Sequence, residues 1–233
     1  MNTGILSGAS AMRASEHRLE AITANLANAR ATAYKRTATA HHGIAGATPN
    51  REAVDIRNRA YLDWSQGPLE RTGVPTDVAL MGEGFFAVEG PAGEVYTRDG
   101  RFALAESGQL VTLEGFPVAW DGARGTLDPV GEAVTIDGAG AVRQGERAVG
   151  RLSIVDFESR ERLQQGSHGY WQAPPELRPI PAAAEVHQGA LEGANVQAID
   201  EMVSLIQTQR AFEAAAEVVR LLSQTYERLN QFR

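Results

Sequence analysis

The chain has 233 residues, an apolar fraction of 43 % and a net charge of −7 from 22 basic and 29 acidic residues. That balance excludes disorder throughout and argues against wholesale nucleic-acid binding, which asks for a basic face. The lack of any cysteine removes disulfides, thiolate catalysis, zinc ribbons and iron–sulfur clusters together.

Met1 to Ile22 has no basic segment followed by an unbroken apolar stretch, so no cleavable secretory signal is expected. No run of about 18 or more apolar residues exists, so no membrane insertion is expected either. The first thirty residues read as a helix. Ile5, Met12, Leu19 and Leu26 recur every seven residues, and Ser15, Ile22 and Ala29 follow three later, an a/d seam of the kind that packs along another helix. Gly8 and Ser15 thin the seam at its start, so the first turns should form only against a partner. Residues 37–73 show little period and read as an extended connector.

From 74 to 190 the character changes to short β-branched runs and turn dipeptides. Phe85–Glu89, Glu94–Thr97, Arg101–Leu104, Gln109–Leu113 and Arg151–Val155 read as strands, with Asp99-Gly100, Asp121-Gly122 and Asp137-Gly138 as turns. Strands this short and close together suggest a mainly antiparallel sandwich or barrel. Pro174, Pro175 and Pro181 bar helix until Ala182 or later. The segment 191–233 then reads as a long helix. Asn195 is placed to cap it, and Asp200 and Glu201 lie near its positive end. Its seam runs through Leu205, Thr208, Phe212, Ala215, Val219, Leu222, Tyr226 and Leu229, while Val196, Ile199, Val203 and Ile206 form an opening strip on a rotated face. The expected fold class is therefore α+β. Long N-terminal (1–36) and C-terminal (191–233) helices pair as a coiled-coil-like domain outside a central β domain (74–190).

Motifs that suggest chemistry fail on context. Gly82-Glu83-Gly84-Phe85-Phe86-Ala87 fits a loose dinucleotide pattern, but a strand follows where the mechanism needs a helix N-terminus. His41-His42 has no i, i+4 partner or acidic pair to complete a metal shell. No Ser-His-Asp order, G-x-S-x-G elbow or H-E-x-x-H helix appears. No catalytic, cofactor-binding or metal residues are assigned, and an enzyme is not expected.

Four ordered stretches resemble the flagellar rod and hook protein family. Asn25-Leu26-Ala27-Asn28 followed by Thr32-Ala33-Tyr34-Lys35 is similar to the family's N-L-A-N…T-x-G-(Phe/Tyr)-(Lys/Arg). Asp63-Trp64-Ser65-Gln66-Gly67-Pro68-Leu69 with Thr72-Gly73 and Asp77-Val78-Ala79-Leu80 is similar to D-F-S-Q-G-x-L…T-G…L-D-V-A-I. Gly82–Val88 with Tyr96-Thr97-Arg98-Asp99-Gly100 resembles G-x-G-F-F-x-V…Y-T-R-x-G. Asn195-Val196, Glu201-Met202-Val203 and Ile206–Glu213 resemble the C-terminal N-V…E-M-V-x-x-I-x-x-Q-R-A-Y-E. Ala33 stands where the family usually has Gly, so the left-handed turn after the first helix is expected to be tightened or replaced.

The resemblance implies a structural subunit of the bacterial flagellar basal-body rod that polymerises through its terminal helices to transmit torque. The proximal rod fits the chain length best, and the distal rod protein of the same family is the alternative. An adhesin-like β module on a coiled-coil stalk is the rival from another class. The residues assigned to subunit contacts are Ile5, Met12, Leu19, Ile22, Asn25, Leu26 and Asn28 at one end. At the other they are Leu205, Gln209, Arg210, Phe212, Val219, Leu222, Tyr226 and Leu229. The implied partners are further copies, other rod proteins, the flagellar type III export apparatus during assembly, and ring proteins around the rod. The implied location is the periplasmic rod, reached without a cleaved signal peptide, with no cofactor.

Overall fold

The computed structural model describes residues 3–45, 54–122 and 125–231. The chain forms two compact units, one made of Met1–Ala29, Lys35–Trp64 and Val196–Arg233, the other of Arg30–Tyr34 and Ser65–Asn195.

The first unit contains both helices and one hairpin. α1 spans Thr3–Ala27 and α2 spans Ala198–Gln231. β1 (Thr37–Ala45) and β2 (Val54–Leu62) pair antiparallel from Thr37↔Leu62 to Ala45↔Val54. The stretch expected as an extended connector thus holds a long two-stranded ribbon, which packs on α1. At 34 residues, α2 is about 50 Å long. Along α2 the burial is one-sided. Glu201 and Thr208 are buried and Leu205, Phe212, Val219 and Leu222 half-buried, while Ile199, Met202, Val203 and Ile206 face outward. α1 ends where the Asn28 backbone N–H and Nδ2 both donate to Ala24 O, at 3.1 and 2.8 Å. The side-chain amide thus adds a second donor to the last carbonyl that the helix ladder reaches.

The expectation of a coiled-coil-like domain is not met. The described residues hold two α-helices and a large β-rich centre, and no coiled-coil pairing of the helices is seen among them. The reason lies in α1. Where a heptad seam needs large knobs, α1 offers Gly4 and Gly8, and the side chains of Leu222 and Val219 rest directly against them. A methyl group at Gly8 would overlap Val219 Cγ2. The α+β description fits in part, and the helix pair is a close, glycine-mediated contact supported by the hairpin.

The second unit is antiparallel throughout, in several small sheets rather than one closed barrel. β3 (Leu69–Arg71) pairs with Ala190–Glu192, and β4 (Val78–Met81) with Glu185–Gln188. β5 (Phe85–Gly90) and β6 (Gly93–Thr97) form the central hairpin of a six-stranded sheet. In order, that sheet runs Gln164–Gln165, Trp171–Gln172, β6, β5, Ile154–Asp156, Ile180–Pro181. A three-stranded sheet of Val134–Ile136, Ala141–Gln144 and Arg147–Arg151 and a two-stranded one of Ala103–Leu104 and Leu110–Val111 belong to the same unit. Val78, Leu80, Phe86, Leu110, Val118, Val142 and Leu152 are at most 1 % exposed and share one core, and Phe86 meets Phe102 edge-on at 5.2 Å. Strands this short leave many backbone groups without ladder partners, and long amides fill the gaps. Gln188 accepts from Ile136 N–H and donates to Pro75 O and Val134 O. Gln144 accepts from Asp128 N–H and donates to Asp128 O and Glu132 O. Each replaces a missing strand neighbour.

Candidate functional site

The candidate features are an exposed face of α2 and the buried polar contacts within each unit. Among the described residues no cluster of three or more His, Asp or Glu side chains could hold a metal ion.

Within the first unit, Asn25 is fully buried near the end of α1. Its Nδ2 donates to Thr37 O and its Oδ1 accepts from Thr37 N–H, both at 2.9 Å. One side chain thus docks the first residue of β1 as a neighbouring strand would. Arg36 Nε donates to Glu201 Oε1, tying the start of the hairpin to the first turn of α2. Glu201 is 1 % exposed, in the turn where the helix dipole favours a carboxylate.

Within the second unit, the stretches that resemble the family converge on one buried ion pair. Arg98 Nη1 lies 3.2 Å from Glu192 Oε2, with the two side chains 6 % and 0 % exposed. Arg98 Nη2 donates to Gly82 O at 2.7 Å, and its guanidinium sits 5.6 Å over the Phe85 ring. Glu192 Oε1 accepts from the Gly67 N–H at 3.1 Å. Any side chain at Gly67 would collide with the Gly193 carbonyl. Burial lowers the Arg98 pKa while the Glu192 charge pulls it back up. The Glu192 carbonyl also accepts from Ala33 N–H at 2.7 Å, and Ala33 holds φ 57°, so the left-handed turn is kept although alanine stands in place of the family's usual glycine. Asn195, expected to cap α2, instead donates to Ser65 O and Oγ at 3.0 and 3.1 Å.

The residues assigned from sequence to subunit contacts fall in three groups. Ile22 and Asn25 are buried; Ile5, Met12, Leu19, Leu26, Asn28, Leu205, Phe212, Val219 and Leu222 are half-buried; Gln209 and Arg210 are exposed. Tyr226 and Leu229 lie on α2 with side chains outside the described residues. The rotated strip of α2 is exposed: Ile199 at 77 %, Ile206 at 53 %, Met202 at 50 % and Val203 at 49 %. Val218, Leu221 and, on α1, Leu6 are also exposed and were not among the residues assigned from sequence. The heptad count favoured the stripe with the longer run, and that stripe lies on the half-buried side of α2.

Comparison with known proteins matches residues 187–232 to the flagellar basal body rod FlgEFG protein C-terminal family and residues 79–144 to the flagellar hook protein FlgE/F/G D1 domain. The flagellar basal-body rod protein FlgF of Mesorhizobium japonicum is 35 % identical over 215 residues, covering 91 % of this chain and 89 % of the relative. FlgF of Caulobacter vibrioides is 34 % identical over 229 residues, covering 94 % and 93 %. FlgG of Buchnera aphidicola subsp. Schizaphis graminum is 33 % identical over 182 residues, covering 72 % and 69 %. With those matches spanning both ends and the β-rich centre, the chain belongs to the flagellar basal-body rod protein family.

Proposed function

We propose that this chain is a structural subunit of the flagellar basal-body rod, in the proximal position of the FlgF proteins. It polymerises with other rod components through its terminal helices into the torque-transmitting shaft. The observation that carries the reading is the likeness to FlgF relatives across more than nine tenths of the chain, joined to an apolar α2 face that its own fold leaves in water. A face of that kind asks for a protein neighbour, and contacts between unlike surfaces that do not close generate a tube. The distal reading is supported less, since FlgG of Agrobacterium fabrum matches 91 % of the chain at 30 % identity, against 35 % and 34 % for the two FlgF relatives. The chain acts as a mechanical part rather than an enzyme, with the β-rich unit as a spacer. Export by the flagellar type III apparatus and contact with ring proteins belong to the same proposal, and the absence of cysteine suits a chain that travels unfolded to an oxidising compartment.

Deleting the gene tests it. The deletion strain should lack hooks and fail to swim, with both restored by the intact gene; a deletion strain that builds hooks and swims normally overturns the reading.

A further inference from the structure

The outward faces of α1 and α2 match one another in the register that the two helices already use inside one chain. Internally they run antiparallel, with Leu222 against Gly4 and Val219 against Gly8. Helical spacing puts Leu6, Arg13, Glu20 and Ala27 on one line of α1, with Glu16 and Ala24 beside it, and all six are exposed. The same spacing on α2 aligns Ile199, Ile206 and Glu213, flanked by Met202, Arg210 and Leu221, again all exposed. Continued sideways onto a second copy, the internal register lays Ile199 and Met202 over Ala27 and Ala24. It then sets Arg210 against Glu16, Glu213 against Arg13, and Leu221 against Leu6.

Large side chains meet small ones, opposite charges meet, and apolar ends meet. Among the described residues, Arg13, Glu16 and Arg210 enter no hydrogen bond or ion pair within the chain, and Glu213 takes one hydrogen bond, from Gln209 at 3.3 Å. The parallel arrangement with Ile199 over Leu6 fails on charge, because it sets Glu213 against Glu20 and buries Ile206 on Arg13. Pairing α2 with α2 would be isologous and close into a dimer, whereas α2 on α1 leaves a free copy of each face and continues. We propose that successive copies of this chain join side by side, the outward face of α2 seated antiparallel on the outward face of α1, in register through Arg210–Glu16 and Glu213–Arg13. This deepens the rod reading and rests on it.

The cysteine-free chain makes the register measurable. Cells carrying Ala24→Cys with Met202→Cys are treated with diamide, and basal bodies are analysed under non-reducing conditions. The expected result is a ladder of dimers, trimers and longer cross-linked chains, with none from the off-register pair Ala24→Cys with Leu221→Cys. Swimming cells with no ladder overturn the pairing while leaving the rod reading intact; so do dimers from Met202→Cys alone, which mean α2 on α2. Should the cysteine pair block swimming, charge reversal decides. Arg210→Glu and Glu16→Arg should each impair swimming and the double variant restore it; no restoration overturns the pairing. Failure of the rod reading is separate, and shows as normal hooks in the deletion strain.

Discussion

At the scale of single residues, the family-like motifs of this chain spend their polar groups on the fold. Arg98 and Glu192 lie in the same dry pocket with the Gly67 N–H and the Gly82 carbonyl, so each is held by the other's charge. Arg98→Met strands the Glu192 carboxylate and should cost about 3–5 kcal/mol, read as a lower urea midpoint by tryptophan fluorescence. Adding Glu192→Leu should recover only part of the loss, because the Gly67 N–H then has no acceptor. Ala33 points the other way. Its φ of 57° carries the steric cost of a left-handed residue, about 1–2 kcal/mol, offset on replacement by the roughly 0.5–1 kcal/mol of extra unfolded-state freedom of glycine. Ala33→Gly should therefore stabilise the chain by about 0.5–1 kcal/mol in the same measurement, the difference of those two terms.

At the scale of elements, close approach and bridging side chains decide how helices and strands meet. α1 and α2 touch through Gly8, where Val219 occupies the space of a side chain. Gly8→Leu gains helix propensity in isolation but must push α2 away, an overpacking cost of about 1–3 kcal/mol. The expected outcome is a lower thermal midpoint for the helical circular dichroism signal, with the β-unit tryptophan transition unmoved. In the β unit, Arg160 braces the end of the strand Ile154–Asp156 with a forked pair of bonds to Asp156, at 2.8 and 2.7 Å. That hydrogen bonding holds the Asp156 carboxyl below its ordinary value. Since the folded value is the lower one, the contribution is complete above the unfolded pKa, near 3.9, and fades as pH falls through the folded value. Acid titration below about pH 4 should lose less stability in Arg160→Met than in the wild type, because the variant has already lost the pair.

At the scale of the whole molecule, a core-bearing β unit is combined with terminal helices that keep a large apolar face in water. The isolated subunit should therefore yield a protease-resistant β-rich fragment with early cuts in the terminal helices, seen by limited proteolysis and mass spectrometry; an intact chain at long times contradicts it. Sequence by itself determined the two helices, the β character between them, the strands at Phe85 and Glu94, and the family, because period, turn residues and ordered motifs are local quantities. It also marked Ala33 as a departure from the family's usual glycine. What only the tertiary structure decided is which stripe of α2 is taken up and which is left free. The longer heptad run through Leu205, Phe212, Val219 and Leu222 is half-buried, and the shorter strip from Ile199 to Ile206 is left in water. Burial depends on what else comes near in space. The hairpin that packs on α1 and the glycines that admit α2 side chains act across long sequence separations that no local period records.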